Sequence, residues 1–504
     1  MKPFEFSEAM NRSQQYNPRA QREDHRAIRE HVVLIALLAA GLLGIYWIGD
    51  TWLQLVATLG WISVALIAVL YLKEHTSSSV LLTSMMYVFV ASTFLNQIVF
   101  RVTIGFFTLF IYRILLIASV VVFLVYVVKS GGLRAQWVRT PVKGVLLFLC
   151  FWMAYALASL TWAWSVTEGI KYLFLLGIGM LFIFLAVFAF TRVRQLIAFH
   201  AIWMVMSGCL IVIGLVNHFA RIQLPTSTLF NGPNYKQGYP TAVFTNQNDF
   251  ALLLSVSVFF YLAALRNVKQ PFARLLCLCA AGLSIWLIIQ TESRACLLGV
   301  AGGIACYAFL MLPKNGRKIA LWGGGLFAAA GVLLLSGKLL EMLQHIIRAP
   351  AVYAVNENPS SNTVRMNLLQ SAWHYLTDTY GFGVGAGNLS VYLEQQPVTN
   401  TDQIFEVHHW LGEITGTFGL LIGGGYLVMY LVLFFYLYKA HAKQTDQKAR
   451  MLVETGLTAQ TAFLISSISP SSVSNLYFHW VFLGFVICCA SVLCSVSKSG
   501  ESMK

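Results

Sequence analysis

Apolar runs follow one another along this chain, most of them close to the roughly 20 residues a helix needs to cross about 30 Å of hydrocarbon. On that measure spans are predicted at 32–49, 52–72, 80–100, 106–128, 142–163, 170–190, 196–219, 249–265, 272–290, 295–312, 319–336, 410–438, 452–469 and 476–496. Two are weak: 80–100 carries Asn96 and Gln97, and 452–469 is short and rich in Ser and Thr. Either could be re-entrant, so the expectation is twelve to fourteen spans. The polar connections are short except at 220–248 and 337–407. In the second, Leu339, Leu340, Leu343, Ile346 and Ile347 share a helical stripe over 338–347. A further helix, capped at Asn362, sets Arg365, Leu368, Leu369, Ala372, Trp373 and Leu376 three to four residues apart and closes at Gly381. The pattern predicts an all-α, polytopic transmembrane bundle with one long extracytoplasmic loop carrying amphipathic helices. Its parts are a basic segment 1–31, a bundle 32–336, the loop 337–407, C-terminal transmembrane helices 408–497 and a tail 498–504. No fixed-period repeat is evident.

Composition sharpens this. Hydrophobic residues make up 58% and charged residues 11%, against about 25% charge in soluble chains, and mean hydropathy is +0.70. Such a chain cannot cover a water-facing surface of its own size. Disordered, collagen-like and disulfide-knot classes are excluded as well. The nine cysteines lie in or at the ends of apolar runs without metal-ligand spacing to histidines, and read as small buried hydrophobes. No cleavable signal is expected, since residues 1–30 are polar and Arg-rich.

The formal charge of +14 changes meaning once located. With the N-terminus in the cytoplasm and sides alternating, every inner connection is basic and holds 25 of the 34 lysines and arginines in total. That is the positive-inside asymmetry. Both termini are therefore expected in the cytoplasm and both long connections outside. Nucleic acid is not expected as a partner.

Nine cations remain on the other side: Arg101, Arg113, Lys171, Arg221, Lys236, Arg294, Lys338, Arg348 and Arg365. Arg101, Lys338 and Arg348 read as span-end residues snorkelling to headgroups. Arg294 lies between two apolar runs, Arg221 follows Asn217-His218, Arg365 opens the amphipathic helix, and Arg113 sits inside the fourth span. A structural ion pair with Glu292 is the competing reading for Arg294. Clustered guanidinium groups suit phosphate or carboxylate ligands through planar bidentate hydrogen bonds. His408 stands where the long loop meets the next span, with Glu413 five residues on. It is placed to act as a general base on an incoming hydroxyl. For His409 structural and functional readings are balanced. Gly323-Gly-Gly325 and Gly423-Gly-Gly425 read as close helix packing, not as phosphate cradles. No nucleotide-binding fingerprint follows a strand, and no cofactor is expected.

Several pieces together resemble the bacterial O-antigen ligase and polymerase family. They are Phe244-Thr-Asn246-Gln-Asn248-Asp-Phe-Ala251, Thr291-Glu-Ser293-Arg294, Arg365 at the head of an outer helix, Gly383-Val-Gly385-Ala-Gly387-Asn388, and His408 leading into Leu411, Glu413 and Gly419. The match covers roughly 220–425. The family typically has His-Asn where this chain has His408-His409, and Asn-Pro-Asn where it has Asn246-Gln-Asn248. Teichuronic-acid-type polymerases look most similar.

The resemblance implies a metal-independent, inverting glycosyltransferase. Its donor would be a saccharide on undecaprenyl diphosphate at the outer face, supplied by a separate flippase, and its acceptor a glycan or lipid hydroxyl. Under that reading Arg294, Arg221 and Arg365 meet the leaving diphosphate, His408 is the base, Glu413 orients it, and His409, Asn246 and Asn248 contribute to substrate binding. No metal site is expected, and a chain-length regulator is a conceivable further partner. A flippase or transporter for the same lipid-linked sugars is the competing class. The seventy-residue loop and the lack of paired repeats speak against it.

Overall fold

The computed structural model describes residues 107–347, 360–470 and 476–501, with 78–95, 102–104, 472–473 and scattered positions between 28 and 60. Among the described residues nine helices are long and apolar enough to span a membrane. These are α2 (Ile111–Lys129), α4 (Lys143–Ala158, continued by a 3-10 turn to Thr161), α5 (Val166–Ala189), α6 (Val193–Ala220), α7 (Gln247–Asn267), α8 (Pro271–Gln290), α9 (Arg294–Met311), α10 (Lys314–Ile347) and α13 (Trp410–Lys443). They are joined by α1 (Ser78–Thr93), α3 (Leu133–Arg139), α11 (Ser361–Asp378), α12 (Leu389–Gln395), α14 (Gln447–Ser466) and α15 (Tyr477–Glu501). The chain is an all-α, multi-pass membrane protein. The spans expected at 32–49 and 52–72 lie largely outside the described residues.

One small departure precedes α2. Strands β1 (Val102–Ile104) and β2 (Phe107–Leu109) pair antiparallel with Thr103 opposite Thr108. Threonine, branched aliphatic and aromatic residues on either side of Gly105 favour a ribbon over another helical turn. The helix expected from 106 therefore starts at Ile111.

Contacts divide the chain into two units: Met1–Phe89 with Ile114–Ala135, and Val90–Arg113 with Gln136–Lys504. In the smaller, Met85 and Val88 pack with Leu115, Ala118 and Val122. All the candidate site residues belong to the larger.

Within the larger unit α7, α14 and residues 477–493 of α15 are buried along most of their length. This explains why 452–469 reads weakly as a span. The polar face of α14 meets protein, where lipid would demand an apolar one. Thr455 Oγ1 lies 3.0 Å from the ring of buried His200, and Tyr430 donates to the Gln460 carbonyl at 2.6 Å. At one end Glu454, fully buried, accepts from Arg266 (2.6 Å), Arg450 (3.0 Å) and Asn267 (3.2 Å), the pairing a buried carboxylate requires. At the other end α9 closes on α14. A side chain at Gly299 would collide with Ser466 and the Ala462 carbonyl, so only glycine lets the two backbones approach this closely. That approach sets the start of α9 beside the end of α14.

Helix α13 is kinked at Gly419, whose φ of 80° and ψ of 179° belong to glycine alone. The kink frees the Gly416 and Thr417 carbonyls, which accept from Val384 (3.0 Å) and Gly385 (2.9 Å), while the Leu420 N–H turns to the Gly381 carbonyl at 2.9 Å. Trp162 and Tyr155 donate to the Gly383 and Phe382 carbonyls, and Asn388 accepts from the Ser165 N–H. The glycine motif 383–388 is thus a strap between the kink and the α4–α5 elbow. It places α11 over the start of α13, where Val364, Leu368, Ala372 and Tyr375 form a small core with Val384, Leu389, Leu393 and Val407.

Two boundaries differ from expectation. The cap of α11 is Ser360, which accepts from the Thr363 N–H, rather than Asn362. The stripe 338–347 does not form its own helix but continues α10 to Ile347; Gly337 alone does not end it, and α10 runs through the boundary expected at 336/337. Gly323, Gly324 and Gly325 also face open space, so the close packing expected there is not found, whereas Gly425 lies against Phe148.

Candidate active site

Three helices begin around the short segment 467–469. At the head of α7, Asn246 Oδ1 accepts from the N–H groups of Asn248 (2.9 Å) and Asp249 (3.0 Å), and its amide donates to Asp249 at 3.0 Å. Asn246 is therefore a helix cap. This turns Asn248 toward Ser469, whose hydroxyl donates to Asn248 Oδ1 at 3.1 Å. At the head of α9, Ser293 Oγ lies 2.7 Å from Ser469 Oγ. Ser469 spends its one proton on Asn248, so Ser293 is the donor of that pair. At the head of α13, the Trp410 N–H donates to the Ser467 carbonyl at 3.1 Å, and His408 meets the Ser469 carbonyl at 3.3 Å. Each helix start carries roughly half a positive charge, and three of them meet here.

His408 is half-buried, in a left-handed backbone conformation with φ 53°. A carbonyl only accepts, so His408 Nδ1 carries the hydrogen and Nε2 is left as the acceptor. Burial lowers its pKa below the ordinary value; the backbone carbonyls oppose this and the charge of Arg365 adds to it. The ring is neutral near pH 7, as a base must be. Next to it, His409 caps α13: its Nδ1 accepts from the Gly412 N–H at 3.0 Å. The structure thus shows a capping role for His409, one that asparagine would also fill.

The arginines are not equally placed. Arg365, half-buried in the second turn of α11, acts electrostatically on both His408 and Cys296. Cys296 is buried among Ser293, Ser466 and Ser469, which puts Arg365 within electrostatic reach of the Ser469 cluster. Burial lowers its pKa from the ordinary arginine value, leaving it a cation. Arg294 is the first residue of α9, directly after Ser293, and is exposed. Among the described residues no ion pair joins it to Glu292. Arg221 is exposed at the end of α6 with φ 56°, and heads the 222–246 segment. That segment is held by Gln223, which donates to the Gln237 and Tyr239 carbonyls, and Tyr239 lies against Glu292. No contact between Arg221 and the Ser469 cluster is found among the described residues. Arg113 is elsewhere, buried with its guanidinium 4.6 Å from the Phe110 ring centre.

Glu413, expected to orient His408, is bonded to the segment that follows Ser469. Its carboxylate accepts from the Ser472 hydroxyl (2.8 Å), the Val473 N–H (3.2 Å) and Tyr172 (3.4 Å). The Ser469 carbonyl holds His408 at Nδ1. Glu413 fixes the segment just beyond Ser469, one step removed from the base.

Ser469 was not among the residues singled out from sequence, and Ser293 was named only as part of the 291–294 motif, with no role of its own. The signal was present: six serines occupy the nine positions 466–474 between two apolar runs. Among the described residues no three His, Cys, Asp or Glu side chains gather as metal ligands.

Known proteins bear on this geometry. A family model described as O-antigen ligase matches residues 279–427, a stretch that includes Arg294, Arg365, His408, His409 and Glu413. A relative from Bacillus subtilis (strain 168), the teichuronic acid biosynthesis protein TuaE, is 41% identical over 482 residues, covering 94% of this chain and 99% of the relative. With His408 and the arginines inside the matched region and similarity running nearly end to end, the chain belongs to the O-antigen ligase family.

Proposed function

We propose that the protein joins saccharide units in surface-polysaccharide synthesis, in the same kind of pathway as its teichuronic acid relative. The donor is a saccharide on undecaprenyl diphosphate, and the acceptor is a hydroxyl of a second glycan or lipid. The observation that carries this is the convergence of the α7 and α9 starts and of His408 on Ser469, with the start of α13 bonded to Ser467 and the charge of Arg365 acting on His408. Such a place stabilises an anion, and it holds a neutral imidazole with Nε2 free to accept.

The step balances as follows. His408 Nε2 takes the proton of the acceptor hydroxyl as its oxygen bonds to the anomeric carbon. The bond from that carbon to the phosphate oxygen breaks, and undecaprenyl diphosphate departs with the electron pair. Arg365 and Arg294 hold the charge that develops there. Attack opposite the leaving group inverts the anomeric centre. The imidazolium then returns its proton to the diphosphate or to water. Guanidinium groups carry the charge neutralisation in this scheme, and no divalent ion is called for. Both termini lie in the cytoplasm and the 337–407 segment outside, following the lysine and arginine asymmetry.

The test is reconstitution of the purified protein in lipid nanodiscs with a synthetic undecaprenyl-diphosphate oligosaccharide. Extension of the glycan with release of undecaprenyl diphosphate and inversion at the new linkage is expected. Unchanged donor in the presence of a competent acceptor would remove the reading.

A further inference from the structure

An apolar groove of about 440 Å³ lies between α4 and α13, with Ala490 of α15 also in its wall. On α13 it runs from Gly425 to Tyr436, a length of about 16 Å at 1.5 Å per residue. That is about half of the roughly 30 Å hydrocarbon core, the depth of one leaflet. Val428 and Val432 in its wall are largely exposed. Two glycines shape it. A side chain at Gly425 would strike Phe148, whereas one at Gly144 would stand in open space. Gly425 thus brings α13 against α4 at one end, and Gly144 leaves the other end open. Tyr436, at that open end, is the single wall residue with a hydroxyl.

Cations gather where the groove opens. Lys143 stands between the wall residues Val142 and Gly144, and Lys439 follows Tyr436 by one helical turn. Neither is in an ion pair among the described residues. The chain around them is almost of one sign. Residues 129–145 hold Lys129, Arg134, Arg139 and Lys143 without an acid, and 439–450 hold Lys439, Lys443, Lys448 and Arg450 against Asp446 alone. Asp446 is spent on the cap of α14, where it accepts from the Ala449 N–H at 3.0 Å.

We infer that this groove holds one acyl chain of an anionic phospholipid, with the lipid phosphate at Lys143 and Lys439. The apolar walls account for the tail, and the unpaired cations select the headgroup. Basic pockets between spans suit such lipids at the cytoplasmic face, the side to which the lysine and arginine asymmetry assigns both connections. Bulk lipid would fill the slot without regard to charge, its lysines merely snorkelling, so headgroup selectivity is the mark of a site. The prenyl chain of a donor held at His408 fits less well. Trp410, at the head of α13, is about 22 Å along the helix from Gly425, and the kink at Gly419 intervenes.

The experiment titrates the full-length protein in detergent with phosphatidylglycerol or with phosphatidylcholine of the same chains, and counts bound lipid by native mass spectrometry. Phosphatidylglycerol is expected to bind about tenfold or more tighter, the effect of two lysines near a membrane surface. Lys143→Gln with Lys439→Gln is expected to shrink that preference to less than about threefold. Gly144→Trp, which fills the open end, should remove tight binding of both lipids. Unchanged circular dichroism confirms that the variants fold; should Gly144→Trp lose helix, Val428→Trp fills the same groove from the exposed side of α13. Equal affinities in the parent, a preference that survives the double lysine substitution, or tight binding that survives the tryptophan would each overturn the inference. So would tighter binding of undecaprenyl phosphate than of phosphatidylglycerol, which would give the groove to the donor's chain. None of these outcomes depends on glycosyl transfer.

Discussion

His408 and its neighbour His409 are held in opposite tautomers. The first donates from Nδ1 to the Ser469 carbonyl at 3.3 Å, leaving Nε2 to accept. The second accepts at Nδ1 from the Gly412 N–H at 3.0 Å, leaving Nε2 to donate. Adjacent residues of one type thus have different chemistry, fixed by backbone. Replacing His408 by Asn or Ala is expected to reduce turnover about 100- to 10,000-fold, the usual worth of a general base, with donor binding retained. In cells expressing His408→Ala, lipid-linked units should accumulate outside the membrane. Accumulation on the cytoplasmic side would point to a flippase.

For His409 the expectation is reversed. His409→Asn keeps an N-cap acceptor and is expected to retain near-normal turnover and melting temperature. His409→Ala removes the cap and should cost about 0.5–2 kcal/mol of stability, read as a lower melting temperature in detergent. A large loss of kcat in a well-folded His409→Asn protein would return His409 to the chemistry.

The pH profile tests the electrostatics. Burial, with Arg365 adding to it, lowers the pKa of His408 below 6.5. The base is active when neutral, so kcat/KM falls as pH drops through that lowered value, and the acid limb lies below pH 6.5. Arg365→Gln removes one of the two lowering influences and should move the limb upward toward neutrality. The same substitution takes a cation from the leaving group and is expected to cost about 100- to 1,000-fold in kcat. Arg365→Lys restores charge but not the planar fork, and so only part of the rate. An acid limb unmoved in Arg365→Gln would show that Arg365 does not act on His408.

Much of this arrangement was legible in the chain itself. Apolar run length located α4 to α9 to within a few residues, because burial in a bundle or in lipid requires the same side chains. The positions of Arg294, Arg365 and His408 relative to apolar runs marked them as unusual. What sequence could not show is which backbone groups each side chain finds. Asn246 and His409 sit at helix starts, and capping residues look like ligand-binding residues until the helix is seen. Glu413 is near His408 in sequence yet turns to Ser472 and Val473. Ser469 was hidden because its importance lies in three partners from three distant segments. The β-ribbon before α2 was missed because an apolar run does not itself distinguish strand from helix.

The kink in α13 yields a prediction about assembly. Gly419→Ala would place a side chain against the Gly381 and Phe382 carbonyls and force a glycine-only backbone on alanine, at about 1–3 kcal/mol. Relief of that strain by straightening the helix would strand the Val384 and Gly385 N–H groups, which rely on carbonyls freed by the kink. Either way the strap loosens and α11, with Arg365, loses its seat. The expected result is a melting temperature lowered by several degrees together with a fall in activity. An alanine variant as stable as the parent would show that the strap is held independently of the kink.

The sidedness of the site is the last question, and α11 offers a direct probe. Ser361 is exposed at the first residue of that helix, upstream of Arg365 on the 337–407 segment. Because the basic residues gather on the opposite side of the spans, a cysteine placed at 361 is expected to react with a membrane-impermeant thiol reagent in intact cells. The native cysteines lie in or at the ends of apolar runs, so a protein without the added thiol serves as the background. Labelling that appears only after the cells are opened would place Arg365 and His408 on the cytoplasmic side. Acceptor and donor would then have to meet before export, and the division of labour with a flippase would be inverted.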